Sequence, residues 1–144
     1  MIEFILNNKP IKTDQPTGSL LLDFVRYEKS LMGTKIGCRE GDCGACTVLI
    51  GELIDSQLNY RQVVSCLTPL GNVHGKHIVT IEGLNMDSLS PVQQFMVDES
   101  GSQFGFCTTG FVVSLTQFCL AKSTPSYKDA IASIDGNICR CTGY

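Results

Sequence analysis

Several common features are missing from this chain of 144 residues, and each absence excludes a class of protein. No apolar run approaches the ~20 residues needed to cross a bilayer, so we expect no direct membrane insertion. Lysine and arginine are not clustered and the formal net charge is −3, which argues against a nucleic acid as partner. The first residues lack the basic and apolar regions of a signal peptide, so we expect a cytoplasmic location. No Ser-His-Asp set, carboxylate pair or phosphate-binding loop is visible, so we expect no substrate-converting site in the chain itself.

Cysteine, in contrast, is abundant, with eight residues. Cys38, Cys43 and Cys46 lie at C-x4-C-x2-C spacing, and Cys66 follows after nineteen intervening residues. This is the plant-type spacing for a 2Fe-2S cluster, in which one loop supplies three thiolates and a distant residue supplies the fourth. Soft thiolates suit iron bridged by sulfide better than oxygen ligands do. The four cysteines therefore predict a first 2Fe-2S site.

Glycines are interleaved with these cysteines. We expect Gly37, Gly41 and Gly44 to adopt positive φ angles and to bring backbone N–H groups close to the cluster sulfurs. Such donors offset the negative charge of four thiolates and help to set the reduction potential.

Two other uses of the cysteines compete with this interpretation. A structural zinc site would normally have two short-spaced pairs, whereas Cys66 has no close companion. Disulfides would need an oxidising compartment, which the start of the sequence does not indicate.

The first half of the chain alternates short strands with one helix. We predict a hairpin with strands at 2–6 and 11–13, followed by an amphipathic helix at 20–27. Three further strands are predicted at 47–50, 58–65 and 78–81. The turn of the hairpin is predicted at 7–10. This order indicates an α+β fold, a mixed sheet packed on one helix.

The second half reads as helical throughout. Ser90-Pro91 predicts a helix over 91–100 with Phe95 facing inward, and further helices are expected at 108–121 and 127–134. We therefore expect two domains, 1–82 and 83–144, with a linker at roughly 82–89. About 55 helical residues rarely stand alone without a metal or a partner domain.

This half contains a second group of cysteines, Cys107, Cys139 and Cys141, which predicts a second metal site at helix ends. Three thiolates are one short of the four that a 2Fe-2S cluster normally takes. Cys119 lies twelve residues beyond Cys107 on the predicted helix, too far to complete the site, and we expect it to be a small buried side chain.

The sequence resembles the iron–sulfur subunit or domain of molybdenum hydroxylases, the xanthine dehydrogenase and aldehyde oxidase family. The resemblance extends from end to end and rests on Gly-Cys-Arg-Glu-Gly-Asp-Cys-Gly-Ala-Cys-Thr-Val, Ser-Cys-Leu-Thr-Pro-Leu, Val-Thr-Ile-Glu-Gly-Leu, residues 103–110 and the final Cys-Arg-Cys-Thr-Gly-Tyr. It implies a β-grasp, ferredoxin-like domain followed by an all-α, four-helix-type domain, each with a 2Fe-2S cluster. The last helix would be truncated here, because the family continues beyond the position of Tyr144, so we expect a fragment or a shortened subunit.

One departure from the family pattern falls on the second cluster. Phe104 stands where the resemblance implies the first cysteine ligand, and Thr109 stands where proline is usual. The cluster could have a non-cysteine ligand, the site could be filled by Phe104 without a cluster, or Phe104 could be a variant in an otherwise ordinary protein. The resemblance also implies that Gln103 and Cys141 contact the pterin.

The expected function is therefore electron relay within a xanthine dehydrogenase-like oxidoreductase. The resemblance implies transfer from a molybdopterin centre towards FAD and NAD or another acceptor. Molybdopterin and FAD would be carried by partners, a molybdopterin-binding large subunit and an FAD-binding subunit or domain. Two alternatives stay open, a free-standing 2Fe-2S ferredoxin and a zinc-stabilised interaction module.

Overall fold

The computed structural model describes residues 1–121 and 124–139. The strands are β1 (Ile2–Leu6), β2 (Lys9–Thr13), β3 (Thr47–Ile54), β4 (Gln57–Val64) and β5 (His77–Val79). The α-helices are α1 (Leu21–Asp23), which a π-helical segment (Phe24–Glu28) continues, α2 (Pro91–Asp98), α3 (Thr108–Leu120) and α4 (Tyr127–Ser133). Short 3-10 helices lie at Ser65–Leu67, Leu70–Val73 and Ile81–Leu84.

The five strands form one mixed sheet in the order β2-β1-β5-β3-β4. β1 and β5 are parallel, and the other neighbouring pairs are antiparallel. This confirms the predicted mixed sheet. β3 extends beyond its predicted end at Ile50, because its pairing with β4 continues to Ile54 opposite Gln57.

The hairpin turn is shorter than predicted. Asn7 occupies the turn with φ of 57°, and Pro10 already lies inside β2, paired with Ile5. β2 is an edge strand of the sheet, so the N–H group that proline lacks is not needed by a further strand.

The predicted helix at 20–27 is confirmed, although only its first turn is α-helical. Leu21, Phe24 and Val25 are buried against the sheet, where they pack with Phe4 and Ile50 in the main core. Burial of these side chains fixes the helix directly before the cysteine loop that follows it in the chain.

The helical half packs much less tightly than the sheet. α2 begins at Pro91, as the Ser90-Pro91 pair predicts, and Ser90 caps it with a reciprocal bond to Gln93, but no side chain of α2 is buried. The prediction that Phe95 faces inward is wrong, because 59% of its surface is exposed. None of the helices in the described residues is long and apolar enough to pass through a bilayer.

α3 joins the two halves. Its Val113 packs with Leu49 and Val79 of the sheet, and Gln117 Nε2 donates to the Tyr60 carbonyl at 3.3 Å. The 3-10 helix Ile81–Leu84 lies across the predicted boundary at residue 82, so the division into 1–82 and 83–144 stays a prediction.

Candidate metal centre

The cysteine loop, residues 37–46, owes its shape to three residues with positive φ. These are Arg39 (58°), Gly41 (87°) and Gly44 (70°). The prediction of positive φ is wrong for Gly37. Glycine is needed there for space, since a Cβ atom would lie 2.6 Å from the Cys43 sulfur. The conformation is therefore possible for this sequence because glycine supplies both left-handed backbone and space beside a thiol.

Two of the four predicted ligands are partly open to solvent and two are buried. Cys38 and Cys43 are half-buried, whereas Cys46 is 3% and Cys66 is 2% exposed. Cys46 and Cys66 pack with Leu22 of α1, with Ile36 and Val64 beside them.

Hydrogen bonds from neighbouring residues fix both pairs. The N–H groups of Glu40 and Cys43 each donate to the Cys38 sulfur at 3.4 Å. In the buried pair, Ser65 Oγ donates to the Cys46 carbonyl at 2.7 Å. This bond holds Ser65, and with it the adjacent Cys66, next to Cys46. β4 thus delivers the distant fourth cysteine to the loop, as the spacing predicts.

The thiols differ in acidity because of these surroundings. Backbone N–H groups, first of Glu40 and then of Cys43, lower the pKa of Cys38 to about 7. Burial, followed by the neighbouring Cys46 side chain, raises the pKa of Cys66 to about 11. Ligand thiols must lose their protons to bind iron, so Cys38 is prepared for this role and Cys66 depends on the positive charge of the metal.

The arrangement of the first four cysteines can be compared with the needs of a binuclear cluster. No three ligand-type side chains converge on one point in residues 1–121 and 124–139. The first four thiols lie in two pairs instead, since Cys43 N donates to the Cys38 sulfur at 3.4 Å and the Cys46 and Cys66 side chains pack together. A 2Fe-2S cluster has two irons that share four thiolates, so the residues present fit this group.

Arg39 is held on the outer face of the loop. Its guanidinium makes two bonds to the Asp23 carboxylate, at 2.7 and 3.2 Å, and this bonding raises the pKa of Arg39. The ion pair ties the loop to α1. Arg140, the other arginine next to a predicted ligand, lies outside the described residues.

At the second predicted site, the structure brings two cysteines together. The sulfur atoms of Cys107, just before α3, and Cys139, after α4, are 2.6 Å apart. Cys141 lies outside the described residues. The Phe104 side chain is 94% exposed, so it does not fill the site as one explanation required.

Two other predicted residues of this half are on the surface. Gln103 is exposed, and the structure gives no test of its predicted pterin contact. Cys119 is also exposed, so the prediction of a buried side chain is wrong. The apolar face of α3 ends before Cys119, because its buried residues are confined to Gly110–Ser114.

Sequence reasoning missed the residues that connect the two sites. Asn137 is buried, and its side chain reaches the Gly44 carbonyl of the first loop. Asn137 lies two residues before Cys139, but its burial depends on long-range packing that a local sequence pattern does not show.

Comparisons with known proteins cover both halves. A family model described as a 2Fe-2S iron-sulfur cluster binding domain matches residues 4–71, and one described as a 2Fe-2S binding domain matches residues 80–144. The chain is 40% identical over its whole length to a xanthine dehydrogenase of Calliphora vicina and 44% identical over 94% of its length to one of Blastobotrys adeninivorans. It spans only about a tenth of these relatives, 11% and 10% respectively.

Solved structures agree. Quinoline 2-oxidoreductase from Pseudomonas putida 86 superposes with a TM-score of 0.83 and 35% identity, over 99% of this chain and 84% of that chain. Aldehyde oxidoreductase from Desulfovibrio gigas gives a TM-score of 0.82 and 33% identity over 97% of this chain and 15% of its own. The predicted cofactor type and the α+β fold with a helical second half are thereby confirmed. Since sequence and fold agree over nearly the full length, the chain belongs to the 2Fe-2S iron–sulfur subunits and domains of the molybdenum hydroxylase family, which includes the xanthine dehydrogenases.

Proposed function

We propose that this chain relays electrons within a xanthine dehydrogenase-like oxidoreductase, from a molybdopterin centre towards FAD and NAD or another acceptor. The observation that carries the proposal is the glycine-lined loop, in which Cys43 N bonds to the Cys38 sulfur and Cys46 packs against Cys66, which follows β4. A bound 2Fe-2S cluster accepts and returns one electron at a time. An electron-transfer role is also what membership of this family supports.

The protein's own residues would hold the first cluster with Cys38, Cys43, Cys46 and Cys66. The N–H groups of Glu40 and Cys43 stabilise negative charge on the Cys38 sulfur. Leu22 covers the buried pair of cysteines and limits contact with water on that side. The half-buried pair lies towards the surface, which suits exchange of electrons with another protein component.

For the second site we propose that Cys107, Cys139 and Cys141 bind a cluster whose fourth ligand is not the usual cysteine. Phenylalanine has no atom that binds iron, and Phe104 points into solvent. The proximity of the Cys107 and Cys139 sulfurs supports a shared metal. Gln103 and Cys141 keep the pterin-contacting role that the family resemblance implies.

Substrate conversion belongs, in this proposal, to partners that carry molybdopterin and FAD. The relatives named xanthine dehydrogenase are about ten times longer than this chain, which leaves ample sequence for such parts. The cysteine ligands must stay reduced to bind iron, and this fits a cytoplasmic location.

The decisive experiment is EPR of the anaerobically reduced protein together with iron and acid-labile sulfide analysis. We expect a 2Fe-2S signal from the first site and a second signal that is altered or weaker. A colourless, correctly folded protein with zinc in place of iron would establish the interaction module. Co-purification with a molybdopterin-binding subunit is expected, and a chain that exchanges electrons freely without one would be a ferredoxin.

A further inference from the structure

The Gly44 carbonyl, between the predicted ligands Cys43 and Cys46, is an unusually well-bonded group. It accepts hydrogen bonds from Thr47 N at 3.1 Å, Thr47 Oγ1 at 2.6 Å and Asn137 Nδ2 at 3.2 Å. The two bonds from Thr47 are local to the loop. The third comes from a residue 93 positions later in the chain, in the helical half.

The Asn137 carboxamide is itself oriented by α3. Ser114 Oγ donates to Asn137 Oδ1 at 2.7 Å, and Ser114 and Asn137 are both buried, with 1% and 5% of their surfaces exposed. This bond leaves the Asn137 NH2 group directed at Gly44. A buried polar chain therefore runs from α3 through Asn137 to the loop of the first cluster.

Close backbone contact reinforces this chain. A Cβ atom added at Gly110 of α3 would collide with the Gly44 carbonyl oxygen, and one added at Gly44 would collide with the carbonyl oxygen of Gly136. The next bond along is Ile138 N to the Cys43 carbonyl, at 2.9 Å. The carbonyl groups of two consecutive residues of the first loop, Cys43 and Gly44, are thus held by the segment that leads into Cys139.

We propose that Asn137 is a positioning residue for the first cluster, through which the helical half controls the lifetime and reduction potential of that cluster. The peptide unit of the Gly44 carbonyl also contains the Ala45 N–H group, and peptide units are planar. A bond that fixes the carbonyl therefore fixes the orientation of a donor lying between two ligands in the sequence. Hydrogen bonding around the sulfurs is one of the factors that set the potential of such clusters. The inference rests on the proposed assignment of Cys43 and Cys46 as ligands.

The test compares Asn137→Leu, which keeps the branched shape of the side chain but removes both polar groups, with the unchanged full chain and any partner that co-purifies with it. Because a buried hydrogen bond is lost, we expect a chelator to remove the cluster about tenfold faster, as measured by visible absorption. We also expect the midpoint potential in an EPR-monitored titration to become more negative. Ser114→Ala, which removes only the orienting bond, should change both quantities in the same direction by less.

Two control variants separate positioning from general destabilisation. Thr116→Val removes a similar 2.7 Å side-chain bond, to the Val112 carbonyl on the same helix, without touching the loop. Ile78→Val loosens the buried core of the sheet. Both should leave the midpoint potential unchanged.

The inference is overturned if Asn137→Leu keeps the original potential, or loses its cluster no faster than Ile78→Val at equal loss of stability. Should Asn137→Leu fail to fold, the same two measurements on Ser114→Ala decide, and unchanged values there contradict the inference. If the protein without substitutions holds no iron at the first site, the ligand assignment itself is refuted.

Discussion

The two cysteine sites of this chain are built on very different supports. The first lies between a helix and a five-stranded sheet, and its Cys46 and Cys66 share a buried cluster with Leu22. The second lies among short helices, beside the exposed Phe104, and α2 and α4 contribute no buried side chain. We infer that the packing of the chain itself holds the first site in place. The second site depends instead on a bound metal and on a partner that covers the helical half.

The largest effect is expected from Cys66→Ser, which removes the ligand delivered by β4. The bound iron should fall by about two atoms per chain, the content of one 2Fe-2S cluster. Iron analysis and visible absorption measure the loss. Cys119→Ser is the matched control, because Cys119 is an exposed cysteine of the helical half, and its iron content should not change. Full iron content in Cys66→Ser would refute the assignment of the first site.

The opposite change is expected at the second site. Phe104→Cys should raise the bound iron by up to about two atoms per chain, because the fourth thiolate of the family pattern would fill a site that the weaker, three-cysteine cluster occupies only in part. Phe106→Cys places a cysteine nearby, at another exposed position next to Cys107, and should add none. Equal iron in Phe104→Cys and the original protein would mean that the second cluster assembles fully without this cysteine.

The support of the two sites can be compared by truncating one apolar side chain in each half. Leu22→Ala, at a fully buried position, should lower the free energy of unfolding by about 2–5 kcal/mol. Phe95→Ala, on exposed α2, should change it by less than about 0.5 kcal/mol. Urea denaturation measures both. A large loss in Phe95→Ala would show that α2 is packed more tightly in solution than its exposure indicates.

The comparison also explains which parts of the fold could be predicted. Strands and helices with a regular apolar period were found, and the spacing of Cys38, Cys43, Cys46 and Cys66 predicts a site for which the structure places Cys43 beside Cys38 and Cys66 beside Cys46. Local patterns carry this information, because hydrophobic periodicity and ligand spacing are read within one segment or between close ones.

Predictions failed where the answer depended on long-range packing. Phe95 has the spacing of an inward residue, but no described element covers its face of α2. The buried role of Asn137 depends on Gly110 and Gly44 meeting at a distance shorter than any side chain allows. Nothing in the residues around Asn137 encodes that contact.

The smallest effect is expected from Asp23→Asn, which breaks the exposed ion pair between α1 and the first loop. Exposed pairs contribute little to stability, and salt screens them, so any loss should disappear at about 1 M salt, where the Debye length is about 3 Å. Glu3→Gln breaks a comparable pair with Lys12 within the hairpin, far from the cysteines in the sheet order. Both variants should unfold almost alike, but only Asp23→Asn should shorten the lifetime of the first cluster at low salt, because Arg39 follows Cys38 directly. Equal cluster lifetimes in the two variants would mean that the loop keeps its shape without Arg39, through its glycines and the bonds from the helical half alone.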